Sequence, residues 1–264
     1  SLQSNAGSMR NSGVELDLNY TVINSDNFSL DLYGNFNYNK NEILDLGQVS
    51  EFESGTSIIR EGLSLGSHYV VGWAGVNPAN GEPLYYDGDG NVTNVFSDGN
   101  ATANWGSSNP EYTGGYGLRG TLGNFDFSTL FTFADEYYRF NNQSFFQENP
   151  NFSQFNLSTA MNTMWSQPGD VTEIQSYLFP RQFSSKDIED ASFTKWRNLT
   201  VGYTLPSKFT SKTNFFESFR VYAQVQNLKT WTKFTGFDPE DDNNIAGYEY
   251  PMPTIYTVGL NIKF

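Results

Sequence analysis

From Pro253 to Phe264 the chain alternates without a break. Tyr256, Val258, Leu260, Ile262 and Phe264 fall on one side, Thr257, Gly259, Asn261 and Lys263 on the other. This period of two is that of an extended strand with two unlike faces. The same rhythm returns along the chain. Val14, Leu16, Leu18, Tyr20 and Val22 alternate with Glu15, Asp17, Asn19 and Thr21, and a turn at residues 24–27 follows. Phe28, Leu30, Leu32, Phe36 and Tyr38 then alternate with Ser29, Asp31, Asn35, Asn37 and Asn39. Tyr112 to Leu122 and Phe125 to Phe133 form a second hairpin across Gly123-Asn124, and Trp196 to Leu205 with Phe219 to Lys233 a third. Burying Asp17 and Asp31 in a dry core would be costly, whereas a wet interior accepts them.

The connections carry the next inference. Residues 44–110, about 141–191 and Phe234–Met252 are long; those at 24–27 and 123–124 are short, and Pro206–Phe216 is intermediate. Long and short alternate, so all the long ones leave the same end of the strands. Connections of this length are out of place inside a compact soluble domain. They are ordinary on the outer side of a membrane barrel, whose other side has tight turns. The pattern therefore predicts an all-β fold: seven antiparallel strands of a transmembrane β-barrel, one unit over residues 1–264, with extracellular loops. A short helix is expected within Ser153–Trp165. Seven strands leave two open edges, which lipid does not tolerate. Ser1 to Gly13 also lacks the basic start and apolar core of an export signal. The expectation is a C-terminal piece whose N-terminal partner supplies the remaining strands.

Composition narrows the functions. The 23 Phe, 16 Tyr, 5 Trp and 24 Gly favour strands and turns. A net charge of −14 argues against nucleic acid as a partner. Absence of cysteine removes disulfide and thiolate chemistry. No apolar run is long enough for a spanning helix, a test that a barrel, apolar at every second residue, does not have to meet.

Several segments, in order, resemble one family, the TonB-dependent outer-membrane transporters of the SusC/RagA type. Asn5-Ala-Gly-Ser-Met-Arg-Asn-Ser-Gly-Val-Glu15 is similar to N-x-G-x-x-x-N-x-G-v-E. Glu61-Gly-Leu-Ser-Leu-Gly66 and Gly75-Val-Asn-Pro-Ala-Asn-Gly81 resemble G-x-P-l-G and G-v-D-P-x-x-G, with Asn77 in place of Asp and Leu63-Ser64 in place of x-Pro. Trp165-Ser-Gln-Pro-Gly-Asp170 with Pro180-Arg181 resembles W-x-x-P-G-D and a P-R pair. Trp196-Arg-Asn-Leu-Thr-Val-Gly-Tyr-Thr-Leu-Pro206, Asn227-Leu228 and Thr235-Gly-Phe-Asp-Pro-Glu240 resemble R-n-l-x-l-g-Y-x-l-P, N-L and Y-x-G-x-D-P-E. The resemblance covers nearly the whole chain. It implies a barrel of about 22 strands around an N-terminal plug, TonB-driven import of an oligosaccharide or oligopeptide, and a SusD-like lipoprotein lid. It implies no catalysed reaction, and a place in the outer membrane of a Gram-negative bacterium among lipid and lipopolysaccharide. Tyr256 and Phe264 resemble the terminal signal read by the barrel-assembly machinery. Two other readings remain: a structural subunit of an envelope assembly or secretion complex, and a soluble all-β carbohydrate-binding domain.

Candidate chemistry is sparse. Gly62-Leu-Ser64-Leu-Gly66 has the spacing of a hydrolase elbow, with His68 the only histidine, but lacks the strand–turn–helix context. Gly115-Tyr-Gly117-Leu-Arg-Gly120 has dinucleotide spacing inside an alternating strand, where no helix follows. Asp87, Asp89 and Asn91, with Asp98 at the twelfth position, follow part of a calcium loop, although Val92 replaces the expected Gly. A structural Ca²⁺ and a solvated Asp-Gly turn both fit; no other cofactor is expected. Tyr85, Tyr86, Trp105, Phe145, Phe146 and Trp165 fall in the outer loops, either as contacts for a ligand or lid or as the loops' own cores. Asp187, Glu189, Asp190 and Asp238 to Asp242 concentrate charge there, for solubility or for divalent-ion bridging to the anionic outer leaflet.

Overall fold

The computed structural model describes residues 7–210, 215–240, 245–246 and 248–264; Asn5, Ala6, Asp241 and Asp242 lie outside them. Seven long strands form one antiparallel sheet. They are β1 (Ser8–Asn24), β2 (Phe28–Asp45), β3 (Tyr112–Leu122), β4 (Phe125–Asp135), β5 (Phe193–Thr204), β6 (Ser218–Thr232) and β7 (Ile255–Lys263). Their order in the sheet is their order in the chain, so β1 and β7 are its two edges.

Register makes one face predominantly apolar. Residues directly opposite each other on antiparallel strands share a face. Leu16 lies opposite Phe36 and Tyr20 opposite Leu32, and Leu32 opposite Leu118. Further along, Phe127 lies opposite Val201, Val201 opposite Ala223 and Ala223 opposite Val258. None of the described residues covers this face: Leu18, Val201, Val258 and Leu260 are all exposed. Rings gather towards its two ends. Tyr38 stacks on Tyr112 at 5.0 Å, Phe131 lies between Tyr116 and Trp196 at 5.2 and 5.3 Å, and Phe125 meets Tyr203 at 4.8 Å near the tight turns. Aromatic girdles bounding an apolar band are the surface of a membrane barrel.

The opposite face is polar and hydrogen-bonded from strand to strand. Thr21 donates to Asp31 at 2.6 Å, Gln224 to Asn198 at 2.8 Å, and Tyr33 Oη to the Thr129 carbonyl at 3.0 Å. Arg220 grips Asp126 with Nε at 2.7 Å and Nη2 at 2.5 Å. Gly202 lies beneath this fork; a Cβ there would collide with the Arg220 guanidinium.

The short turns collect at one end. The Asn27 carbonyl accepts from the Gly123 amide at 2.8 Å, and that of Asn124 from the Thr204 amide at 2.9 Å. The three long connections meet at the other end. Ser185 Oγ accepts from the Trp73 amide at 2.9 Å, the Gly81 carbonyl from the Ser176 amide at 3.0 Å, and Glu189 from the Thr235 amide at 2.7 Å.

Details depart from the alternation. Val22 occupies a bulge between Thr21 and Ile23, so Ile23 rather than Val22 lies opposite Leu30. A second bulge at Arg197 lets β5 begin at Phe193, three residues before the apolar rhythm starts. β2 continues to Asp45, two residues into the expected loop. The loops are structured: the first carries hairpin Glu51–Ser54/Ser57–Arg60 and a three-stranded piece over Trp73–Val76, Pro83–Tyr86 and Val92–Thr93. In the second, the helix falls earlier than expected, as α1 (Asn142–Gln147) capped by Asn141; Ser153–Trp165 holds only the 3-10 turn Thr159–Thr163. The Pro206–Phe216 link opens with α2 (Ser207–Thr210). The buried core lies mainly among these loops, as Ile58, Val71, Tyr85, Phe140, Phe145 and Ile174.

Candidate functional site

The loop body is held by charged groups that the strands present to it. Lys195 and Arg197 sit near the loop end of β5. The Lys195 ammonium reaches Asp238 at 2.5 Å and Glu240 at 3.0 Å. Arg197 bonds Glu240 as well, and donates to Thr132 at 2.7 Å. The third loop is thereby fastened to the sheet through its Asp-Pro-Glu corner. Burial works against the Asp238 carboxylate, but Lys195 and the Glu240 and Met252 amides hold its pKa below the ordinary value. Arg139, fully buried, donates to the Asp238 carbonyl at 2.9 Å and lies over Phe234.

A second anchor crosses the second loop. The Arg181 guanidinium pairs with the fully buried Asp187 and donates to the Ser144 carbonyl at 3.0 Å; Ser184 N supports the other carboxylate oxygen at 3.2 Å. Beside it, burial and the charge of Arg181 push the Lys186 ammonium down to about 8.

Of the six loop aromatics that fit either a ligand or lid or the loops' own cores, most take part in packing. Tyr85 is buried edge-on between Trp73 and Phe96, and burial, followed by the charge of Asp187, pushes its phenol up to about 12. Phe145 is buried against Phe183, with centroids 3.7 Å apart, and Phe146 packs edge-on against it. Trp105 donates to the Val70 carbonyl and Trp165 to that of Pro78, each at 3.1 Å. Tyr86 alone of the six is exposed.

The other motifs resolve as turns and strand. Ser64 Oγ turns to Asn41 and the Leu65 carbonyl, whereas buried His68 points Nε2 at the Tyr138 carbonyl, 2.9 Å away. Nucleophile and base are not joined, so no hydrolytic pair forms. Burial lowers the His68 pKa. Gly115, Gly117 and Gly120 lie within β3. Asp87 Oδ1 accepts from the amides of Asp89 at 3.0 Å and Asn91 at 2.8 Å, an Asx turn that lowers its pKa. Asp98 opens a separate 3-10 turn, and among the described residues no three His, Cys, Asp or Glu groups converge to hold a metal. The acidic loop residues are spent internally: Asp187 on Arg181, Glu189 on Thr235 and Asn141, Asp190 on Ser192 and Lys233. Tyr256 and Phe264 are exposed, and the Phe264 ring meets Phe215 at 5.5 Å and Phe216 at 6.0 Å.

No family model matches the chain. Among curated proteins it is similar to TonB-dependent receptor P3 of Formosa agariphila, 28% identical over 305 residues, covering 98% of this chain and 29% of that protein. It is also similar to TonB-dependent receptor SusC of Bacteroides thetaiotaomicron, 29% identical over 276 residues, covering 98% and 27%. The solved structure of the RagAB peptide transporter superposes with a TM-score of 0.92 at 30% identity, covering 98% of this chain and 30% of that one. The RagAB peptide importer in its "open-open" state gives 0.90 at 29% identity, covering 98% and 29%. The chain thus spans about three tenths of the length of these relatives.

Proposed function

The chain belongs to the SusC/RagA type of TonB-dependent outer-membrane transporters, and from that premise we propose that it forms part of the wall and outer loops of an importer. The cargo is an oligosaccharide or oligopeptide, crossing the outer membrane of a Gram-negative bacterium at the expense of a TonB complex. The observation that carries this reading is the division of the sheet into one uncovered apolar face and one hydrogen-bonded polar face. Such a wall separates hydrocarbon from an aqueous lumen. The edges β1 and β7 are completed by further strands of the same barrel, which also encloses a plug. The loop body faces outward, where a SusD-like lipoprotein closes over it and exposed Tyr86 is available to cargo or lid. Tyr256 and Phe264 serve barrel assembly. No reaction is catalysed, in keeping with relatives named as receptors and transporters.

Uptake in cells tests the reading. The full-length protein, with its outer-membrane partner, is purified and its co-purifying oligomer identified by mass spectrometry. Import of that oligomer is then followed with and without functional TonB. Loss of import without TonB is expected; undiminished import would overturn the proposal.

A further inference from the structure

Between the first two loops lies a cavity of about 470 Å³ whose use neither the fold nor import explains. That volume is within the roughly 300–1,000 Å³ of small-molecule sites. Its aromatic lining comes from Tyr69 and Phe96 of the first loop, Phe140 just before the second and Phe183 within it; the Tyr69 ring already carries the Arg60 guanidinium, 5.5 Å from its centroid. Phe183 gives one face to Phe145, yet the residue remains 44% exposed. Glu53 and Asp98 also line the cavity, and no basic residue does. Neither carboxylate makes a side-chain hydrogen bond or ion pair with the described residues. This sets them apart from Glu51, Asp187, Asp190, Asp238 and Glu240, which are all paired.

We infer that this cavity binds a primary ammonium or guanidinium carried on an apolar stem. The Phe96 and Phe183 rings take the stem and the near side of the cation, and the two carboxylates accept its N–H donors and neutralise its charge. A neutral sugar leaves both carboxylates uncompensated by charge, and an anion is repelled. The site rests on loop geometry alone, so its occupancy is read without transport, and its failure would leave the import proposal standing.

Calorimetry on the full-length protein in detergent, with its partner present, provides the test. The probes are cadaverine, as a free amine, and N-acetyl-lysinamide, as a peptide-borne one; n-pentanol is the uncharged control. Binding of either amine is expected, and which of them binds identifies the source of the ligand. Glu53→Gln and Asp98→Asn, both exposed and isosteric, should each weaken it about tenfold, as loss of a charge-assisted contact does. Phe183→Leu should weaken it several-fold. Pentanol binding as tightly as cadaverine, no heat with either amine, or unchanged affinity in both carboxylate variants would overturn the assignment. Unaltered heat-modifiable mobility confirms that each variant is folded.

Discussion

Individual charges decide how firmly the loops are set. With Arg181 and Asp187 both out of water, removing one partner strands the other. Arg181→Met leaves the Asp187 carboxylate to the Ser184 amide, at a cost of about 3–5 kcal/mol, whereas pairing it with Asp187→Leu removes most of that penalty. Hydrogen exchange across the segment 181–190 of the full-length protein distinguishes the cases. Equal loss of protection in single and double variants would show that charge burial is not the cause. His68 gives the same region a pH dependence. Burial lowers its pKa from 6.5, so the opened loop binds a proton more readily than the closed one. The contribution of neutral His68 is complete above pH 6.5 and is lost as pH falls from there through the lowered folded-state value. Protease susceptibility of the first loop, measured between pH 7.5 and about 5, should therefore rise in the native protein and much less in His68→Gln.

At the scale of elements, sidedness is what the sheet needs, and β6 tests it within two adjacent residues. Ala223 stands on the apolar face between Val201 and Val258; Gln224, next along, is on the polar face and donates to Asn198. Ala223→Arg is expected to cost about 2–4 kcal/mol, as a cation facing mid-membrane hydrocarbon does, while Gln224→Arg costs little. The fraction of heat-modifiable barrel in isolated outer membranes reports the difference, and a worse outcome for Gln224→Arg would reverse the faces. This sidedness was legible in the sequence because it is a local, two-residue rhythm: β3 begins and ends where the alternation does, at Tyr112 and Leu122. Bulges were not legible. Val22 and Ile23 are both apolar, and only pairing with Leu30 decides which one continues the face. The onset of β5 was hidden too, since the bulge at Arg197 shifts the phase between Trp196 and Leu199 and separates the first residues of the strand from the rhythm that follows.

Across the whole molecule, the division between a strand end with tight turns and one with a packed body of loops could be anticipated from connection lengths alone. The interior of that body could not. Its ties join residues far apart in the chain, Lys195 to Asp238 and His68 to Tyr138, and an acidic run reads as solvent-facing until its cations are placed. The burial of Tyr85 and Phe145 is likewise a property of the assembled loops. The proposed import function puts the loop end at the cell exterior, since outer-membrane barrels keep their short turns in the periplasm. Single cysteines, in a full-length protein freed of any others, can test this; residues 1–264 contribute none. Val171, 93% exposed in the second loop, and Asn27, exposed in the β1–β2 turn, mark opposite ends of the sheet. In whole cells making the full-length protein, Val171→Cys should react with a membrane-impermeant maleimide at once. Asn27→Cys should react only after the outer membrane is opened. Labelling of Asn27→Cys on intact cells, with Val171→Cys protected, would invert the protein in its membrane and place the amine-binding cavity on the wrong side to meet anything from outside.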